Sequence, residues 1–424
     1  MPSAPKAERL GVLCHPTLGG SSVVACELAI AMAARGWSVT VFAREEPTRL
    51  RLFRESRGTP LHPQPIEAPS ARGHVRFIAC AAPAYPLFES PPHDLALCSQ
   101  VLAEQERAPF DVLHAHYALP HAALALFARS MMGAEPPAVV ATLHGTDVAL
   151  VGADPAFTPL VRWTLRNADA VTAVSSALAR ATHELVDGTD NCANETESTI
   201  TCEVVPNWVD AARLANAAVP RPGPPRFVHV SNFRAVKDAP LVVEAFAALL
   251  ETRDGLPEDL ELWMIGDGPE RVVAQRAAVA AGLAERVRWW GSTAQPEALV
   301  AGALGMVLPS VTEGFGLAAL EALALGVVPI VSAVGGLPEV VTHLETGLLV
   351  APPDPGLDPQ EARLAKIAAF ASSLRTLCVD VQARQRMARA ARQDAADRFT
   401  PDTIMDRYEA VYRRAQESRR RSES

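Results

Sequence analysis

Short β-rich runs alternate with Ala- and Leu-rich helical stretches along all 424 residues, and this alternation restricts the fold more than any other feature of the chain. In the first half, strands are expected at 10–14, 37–43, 75–79, 112–115, 139–143 and 170–174, with helical stretches such as 22–35 and 120–132 between several of them. The second half repeats the pattern at 227–230, 261–265, 287–290, 305–308, 328–331 and 348–350. Repeated strand-helix-strand units imply α/β architecture with parallel, doubly wound sheets, because two parallel neighbours need a crossover and a helix supplies it. A chain this long exceeds the size over which one hydrophobic core keeps growing, so two domains are expected, and an apolar content of 49% is ample for two cores. Between the halves lies Val219-Pro220-Arg221-Pro222-Gly223-Pro224-Pro225, whose prolines prevent regular structure. The expected organisation is a domain over 1–218, a linker over 219–226 and a second domain over 227–399.

Net charge is −9 and the isoelectric point about 5.7, so no overall field favours nucleic acid or an anionic membrane surface. An anionic ligand must be held by local cations and backbone N–H groups. The seven cysteines (14, 26, 80, 98, 192, 202 and 378) are scattered and never in C-x-x-C spacing, which argues against a disulfide framework or zinc ribbon and fits a reducing cytoplasm. The apolar run near the start stops at Cys14-His15-Pro16, too short for a signal-peptide core. The apolar region 317–336 is broken by Glu321, Gly326 and Pro329 into a helix and a strand, so no stable membrane insertion is expected. Residues 187–201 are polar and without periodicity, which reads as a surface insertion, and the basic tail around Arg419-Arg420-Arg421 reads as a solvated helix end.

The chemistry concentrates just past expected strand ends, where an open parallel sheet presents ligand groups. Glu313 and Glu321 flank Gly314-Phe315-Gly316-Leu317, between a strand and a Leu/Ala helix. The glycines leave the helix N-terminus bare, so its N–H groups and positive dipole end can hold an anion such as a diphosphate, while the carboxylates suit sugar or ribose hydroxyls. A buried helix with one solvated acid at each end is the plainer alternative. After another strand, Arg234 and Lys237 supply two cations three residues apart, a reach suited to a diphosphate or simply to a charged surface. Gly266-Asp267-Gly268-Pro269-Glu270 is a further turn that is either structural or lines the same site. In the first half, Gly19-Gly20-Ser21-Ser22 follows the first strand; Ser21 or Ser22 can cap the helix, with N–H groups left for a carboxylate or phosphate. It lacks both G-x-G-x-x-G and a P-loop ending. His114, His116, His121 and His144 invite a zinc reading, but no Cys or carboxylate completes a ligand set at a familiar spacing, so no metal is expected.

Gly-Gly-Ser (19–21), His-Ala-His-Tyr-Ala-Leu-Pro-His-Ala (114–122), Thr-Leu-His-Gly-Thr-Asp (142–147), Val-Thr-Ala-Val-Ser-Ser (171–176), Val-Ser-Asn-Phe-Arg-x-Val-Lys (230–237), Gly-Asp-Gly-Pro-Glu (266–270) and Glu-x-Phe-Gly-Leu-x-x-Leu-Glu-Ala (313–322) occur in order from about residue 9 to about 415. Together they resemble the retaining glycosyltransferases of family 4, and within that family the members that carry N-acetylglucosamine from UDP-GlcNAc to L-malate, the first step of bacillithiol biosynthesis. The resemblance implies a GT-B fold of two Rossmann-like domains facing across a cleft, with a last helix over about 400–424 returning to the N-terminal domain. It implies catalytic roles for His144, Glu313, Lys237 and Arg234. The donor would be lined by Gly20, Asn232, Arg234, Lys237, Gly266, Glu313, Gly314, Phe315, Gly316, Leu317 and Glu321, with the two cations on the diphosphate, Glu321 on the ribose and Glu313 on the transferred sugar. L-Malate would be received by Gly19, Gly20, Ser21, Tyr117 and Thr142, with Arg162 for its carboxylate. UDP-GlcNAc is then a substrate and no cofactor is implied; oligomeric state, a homo-oligomer included, is left open. The sequence departs from the family pattern at Ser22, at His93 in Pro91-Pro92-His93-Asp94, and at Gly314, where Ser is usual; the first two lie in acceptor-side segments.

Overall fold

The computed structural model describes residues 8–16, 19–57, 66–67, 73–82, 91–187, 200–217, 219–252, 254–293 and 295–423. The chain divides into two units, one of Met1–Pro206 with Asp402–Ser424, the other of Asn207–Pro401. Each is built on its own sheet.

Strands of unit 1 are β1 (Arg9–Leu13), β2 (Ser38–Ala43), β3 (Ile66–Glu67), β4 (His74–Ala79), β5 (Val112–His116), β6 (Ala138–Leu143), β7 (Ala170–Ala173) and β8 (Cys202–Val204). They lie in the order β3-β4-β2-β1-β5-β6-β7-β8, all parallel except the β3–β4 pair. Unit 2 contributes β9 (Arg226–Val230), β10 (Glu261–Ile265), β11 (Val287–Gly291), β12 (Gly305–Leu308), β13 (Pro329–Ser332) and β14 (Leu348–Val350), in the order β11-β10-β9-β12-β13-β14, parallel throughout. All twelve expected strands are present. The sequence reading missed β3 and β8, a two- and a three-residue edge strand, because runs so short show no periodicity.

Central strands are buried end to end, as β6, β10 and β13 show, because helices cover both faces of a parallel sheet. Phe227, Phe246, Met264, Phe370, Leu374 and Leu377 belong to one core cluster of unit 2; Leu13, Phe42, Phe110, Leu113 and Val139 belong to one of unit 1. Helix Pro401–Glu423 lies with unit 1. Arg35 pairs with Asp406 at 2.6 Å, and Tyr412, fully buried, bonds His114. Arg414 near its end pairs with Glu203.

The division between units corrects the expected linker. It falls at Pro206/Asn207, ahead of 219–226, because the intervening residues pack within unit 2: the Val209 N–H donates to the Phe399 carbonyl, and helix Ala211–Ala217 packs on helix Leu317–Leu325. The proline-rich run is itself tied down. The Arg221 N–H donates to the Ala298 carbonyl and its guanidinium lies 4.5 Å from the Trp290 ring centroid. The expected insertion lies outside the described residues over 188–199; Asp187 ends helix Ser176–Asp187.

Candidate active site

Strand order reverses direction between β9 and β12 in unit 2 and between β1 and β5 in unit 1, and the loops leaving these strands are the ones the sequence singles out.

In unit 2 the loop after β9 carries Asn232, Arg234 and Lys237, and the loop after β12 carries Glu313. Lys237 Nζ donates to Glu313 Oε2 at 2.5 Å, with Ser310 Oγ donating to the same oxygen at 3.2 Å. The pair is largely desolvated, the side chains being 20% and 13% exposed. Asn232 and Arg234 are exposed, and among the described residues Arg234 has no ion-pair partner. Their loop is shaped from beneath by His229 on β9. Its Nδ1 bonds the Val307 carbonyl at 2.8 Å, so Nδ1 carries the proton; Nε2 then accepts from Ser231 Oγ at 2.7 Å, and Ser231 Oγ accepts the Phe233 N–H. Burial pushes His229 down to about 4, so it stays neutral in this role. From the neighbouring loop Gly266, at φ +118, lies so close to Ser231 that a Cβ would sit 1.8 Å from its carbonyl oxygen.

The turn into helix Leu317–Leu325 is set by Gly316, which is left-handed at φ 98 and leaves no room for a Cβ beside Leu337. No side chain caps this helix and no acid stands in its first turn. Its N-terminal N–H groups and dipole therefore remain for an anion. Gly335 closes the site from behind: its φ is +54, a Cβ would stand 2.0 Å from the Glu313 carbonyl oxygen, and the Gly336 N–H donates to that oxygen. Phe315 is buried with its ring against Phe399, 5.9 Å between centroids, so it offers a ligand only backbone. Glu321 lies one helical turn in from Leu317, partly exposed. Sequence reasoning missed Ser310 and His229; a serine before a paired glutamate and a histidine inside an apolar strand are the available signals.

In unit 1, helix Gly20–Ala34 begins two residues earlier than expected. Its N-cap is Gly19, with no side-chain cap and no acid in the first turn, so Ser21 and Ser22 lie inside the helix rather than capping it. Ser22 is buried; Gly20 is exposed and Ser21 partly so. Residues 17 and 18 of this loop lie outside the described residues. Across the switch point, the His15 ring meets Tyr117 at 5.3 Å and His121 at 4.4 Å between centroids. Tyr117 is partly exposed at φ 86, and its N–H donates to the Thr142 carbonyl. Tyr117 also lies 5.3 Å from His144.

Behind these groups runs a ladder of imidazoles. His114 stacks on His116 at 4.6 Å and His116 on His144 at 5.1 Å. His114 bonds Tyr412 through Nδ1 and Thr142 through Nε2, and Thr142 bonds Thr172 at 2.6 Å. Burial lowers His114 and His121 to about 3, so both stay neutral. Asp147, which the sequence reading left without a role, accepts the N–H groups of His144 and Gly145 and locks the turn after β6; burial raises its carboxyl to about 6.

Two acceptor expectations are corrected here. Thr142 is fully buried and its hydroxyl is consumed inside the sheet, so it supports the site without facing a ligand. Arg162 donates from Nε to the Leu185 carbonyl, and Arg166 to that of Val186; both serve the open C-terminal carbonyls of helix Ser176–Asp187. His93, the first residue of helix His93–Arg107, accepts the Ala82 N–H on Nδ1. Among the described residues no group of three or more His, Cys, Asp or Glu is arranged to hold a metal ion. Six cysteines are buried free thiols, Cys192 lying outside the described residues. No helix among those residues is long and apolar enough to cross a membrane.

Two Rossmann-like units, each with polar groups gathered at the switch point of its own sheet, are the architecture of the GT-B fold. The same fold is seen in the Anabaena protein HepE in complex with UDP and glucose, which aligns over 96% of this chain and 99% of its own with a TM-score of 0.68 at 18% identity. The chain belongs to glycosyltransferase family 4 and is a sugar-transferring enzyme: residues 18–213 match Glycosyltransferase Family 4 and residues 213–394 match Glycosyl transferases group 1. It is 33% identical to the N-acetyl-alpha-D-glucosaminyl L-malate synthase of Bacillus anthracis, over 95% of this chain and 96% of that protein. A D-inositol 3-phosphate glycosyltransferase of Actinosynnema mirum is 30% identical over 78% of this chain and 80% of its own.

Proposed function

We propose that this enzyme moves N-acetylglucosamine from UDP-GlcNAc to the hydroxyl of L-malate with retention at the anomeric carbon, without a resident metal and in the cytoplasm, as the opening step of bacillithiol biosynthesis. The observation that carries the reading is the near full-length likeness to the Bacillus anthracis malate synthase. The chemistry of unit 2 supports it. Breaking the bond from the anomeric carbon to the diphosphate builds negative charge on the leaving group, which Lys237, Arg234 and the uncapped N–H groups of helix Leu317–Leu325 would meet. Glu321 would take the ribose hydroxyls and Glu313, oriented by Lys237 and Ser310, those of the transferred sugar. Asn232, Gly266 and Gly20 would line the donor, and His144 would position the reacting sugar. Gly19, Gly20, Ser21 and Tyr117 would receive malate, the uncapped helix Gly20–Ala34 suiting a carboxylate. The bond from carbon to malate oxygen would form on the face the diphosphate leaves, with the hydroxyl proton passing to the leaving phosphate oxygen.

A second acceptor is kept because of the Actinosynnema relative: an inositol phosphate in place of malate. The test is UDP release from UDP-GlcNAc with L-malate, with D-inositol 3-phosphate and with neither. Turnover with malate alone supports the proposal. Turnover with the inositol phosphate alone replaces the acceptor, and no UDP release with any of a panel of acceptors overturns transfer from this donor.

A further inference from the structure

We propose that His116 is a positioning residue that fixes the tautomer of His144, so that His144 presents Nδ1–H, a hydrogen-bond donor, to its ligand. This deepens the reading above, in which His144 positions the transferred sugar. His116 Nδ1 and His144 Nε2 are 2.9 Å apart with the rings stacked 24° from parallel, so one hydrogen bond joins them and one proton lies between them. His116 is fully buried, and its other nitrogen, Nε2, is buried with no partner. Burial and the neighbouring imidazoles hold both rings below their ordinary pKa, so each carries a single proton at neutral pH.

Two arrangements satisfy that count. If His144 donated from Nε2, His116 would have to carry its own proton on Nε2, leaving an N–H donor buried with nothing to receive it. If His116 donates from Nδ1, its orphan Nε2 is only a lone pair, and buried acceptors without partners are tolerated more readily than buried donors. The second arrangement therefore holds. It leaves His144 Nε2 as an acceptor committed to His116, and the His144 proton on Nδ1. That atom makes no hydrogen bond among the described residues, on a ring that is only partly covered, so it is the edge left for a ligand. His144 is thus set to donate to a sugar oxygen and has no lone pair with which to remove a proton. The backbone below it is fixed independently, by the bond from the His144 N–H to Asp147.

The test uses the full chain labelled with ¹⁵N-histidine, in which long-range ¹H–¹⁵N correlations report each tautomer, His144→Gln serving to assign the signal. The expected result is an Nδ1–H tautomer at His144 in the wild type and in His116→Asn, whose side-chain NH2 replaces the Nδ1–H donor. His116→Phe keeps a stacked ring but no donor and should release His144 to a mixture or to Nε2–H. In UDP release from UDP-GlcNAc, His116→Phe should lose about tenfold in kcat, with His116→Asn restored to within about threefold of wild type, the size of one hydrogen bond. An Nε2–H tautomer at His144 in the wild type overturns the proposal, as does an unchanged tautomer in His116→Phe. Because the spectra need no substrate, an Nδ1–H tautomer in an enzyme that releases no UDP upholds this inference while overturning the proposed function.

Discussion

Lys237→Met offers the sharpest test of the donor site, because it separates two jobs that one ammonium performs. Lys237 holds Glu313 at 2.5 Å, and in the proposed reaction it also meets the diphosphate. Removing one partner of a fully buried ion pair costs about 3–5 kcal/mol, and of an exposed pair about 0–1 kcal/mol. With the two side chains 20% and 13% exposed, and Ser310 still bonded to Glu313, a loss of roughly 2 kcal/mol of stability is expected. Losing a charge-assisted contact that strengthens as the leaving group departs should cost roughly 2–4 kcal/mol in the transition state, or roughly 30- to 1,000-fold in kcat/KM. The second variant, Glu313→Gln, removes the charge that Lys237→Met strands. In the double variant the stability loss should therefore be largely recovered while activity is not. Urea denaturation followed by tryptophan fluorescence reads the first quantity, Trp208, Trp263, Trp289 and Trp290 all lying in unit 2. UDP release reads the second. Wild-type kcat/KM in Lys237→Met, or recovery of activity in the double variant, would refute the reasoning.

Calorimetry should show Glu321→Gln weakening UDP and UDP-GlcNAc alike, whereas Glu313→Gln spares UDP; equal effects on both ligands would remove the division between ribose and sugar. Excess EDTA should leave UDP release intact, and inactivation reversed by one added metal would overturn the metal-free proposal. Thr142→Val should cost about 1–3 kcal/mol by breaking a buried hydroxyl network, yet leave the KM for malate within about twofold, since the hydroxyl faces no ligand. The histidines of unit 1 make stability acid-sensitive. His114 and His121 are neutral when folded, with pKa values near 3, and take up protons when unfolded below about 6.5, so the stability they contribute is present above pH about 6.5 and lost as pH falls towards 3, at up to about 1.4 kcal/mol per pH unit each. Asp147 works the other way between about 4 and 6, since its raised carboxyl favours the folded state as it protonates. Denaturation titrated from pH 8 to 5 checks the sign: a loss of stability beginning near pH 6.5 is expected, and a flat profile would refute the neutral, buried assignment.

The strands and the post-strand groups were legible because periodicity, glycine placement and charge are local properties. Lys237 and Glu313 were both visible, though not that they bond one another, since 76 residues separate them in the chain. Thr142 misled because a threonine at a strand end reads the same whether its side chain enters the sheet network or leaves it, and only the pairing with His116 on β5 and the His114 contact decide that. Arg162 misled because a helix end elsewhere in the chain needed its guanidinium. The prolines at 220–225 were read as a linker on their backbone preference alone, whereas the Arg221–Trp290 contact that holds them comes from a strand far along the chain.

The return of helix Pro401–Glu423 to unit 1 fixes an order of events during synthesis. Unit 2 is an insertion within unit 1, so the ribosome makes all of Asn207–Pro401 before the residues that complete the first sheet's packing exist. At about 5–20 residues per second that interval is on the order of 10 to 40 s. Throughout it His114 lacks Tyr412, and Arg35 lacks Asp406. The nascent N-terminal sheet must wait for the helix that buries Ile404, Met405, Tyr408, Val411 and Tyr412, while a later-made unit is free to finish folding.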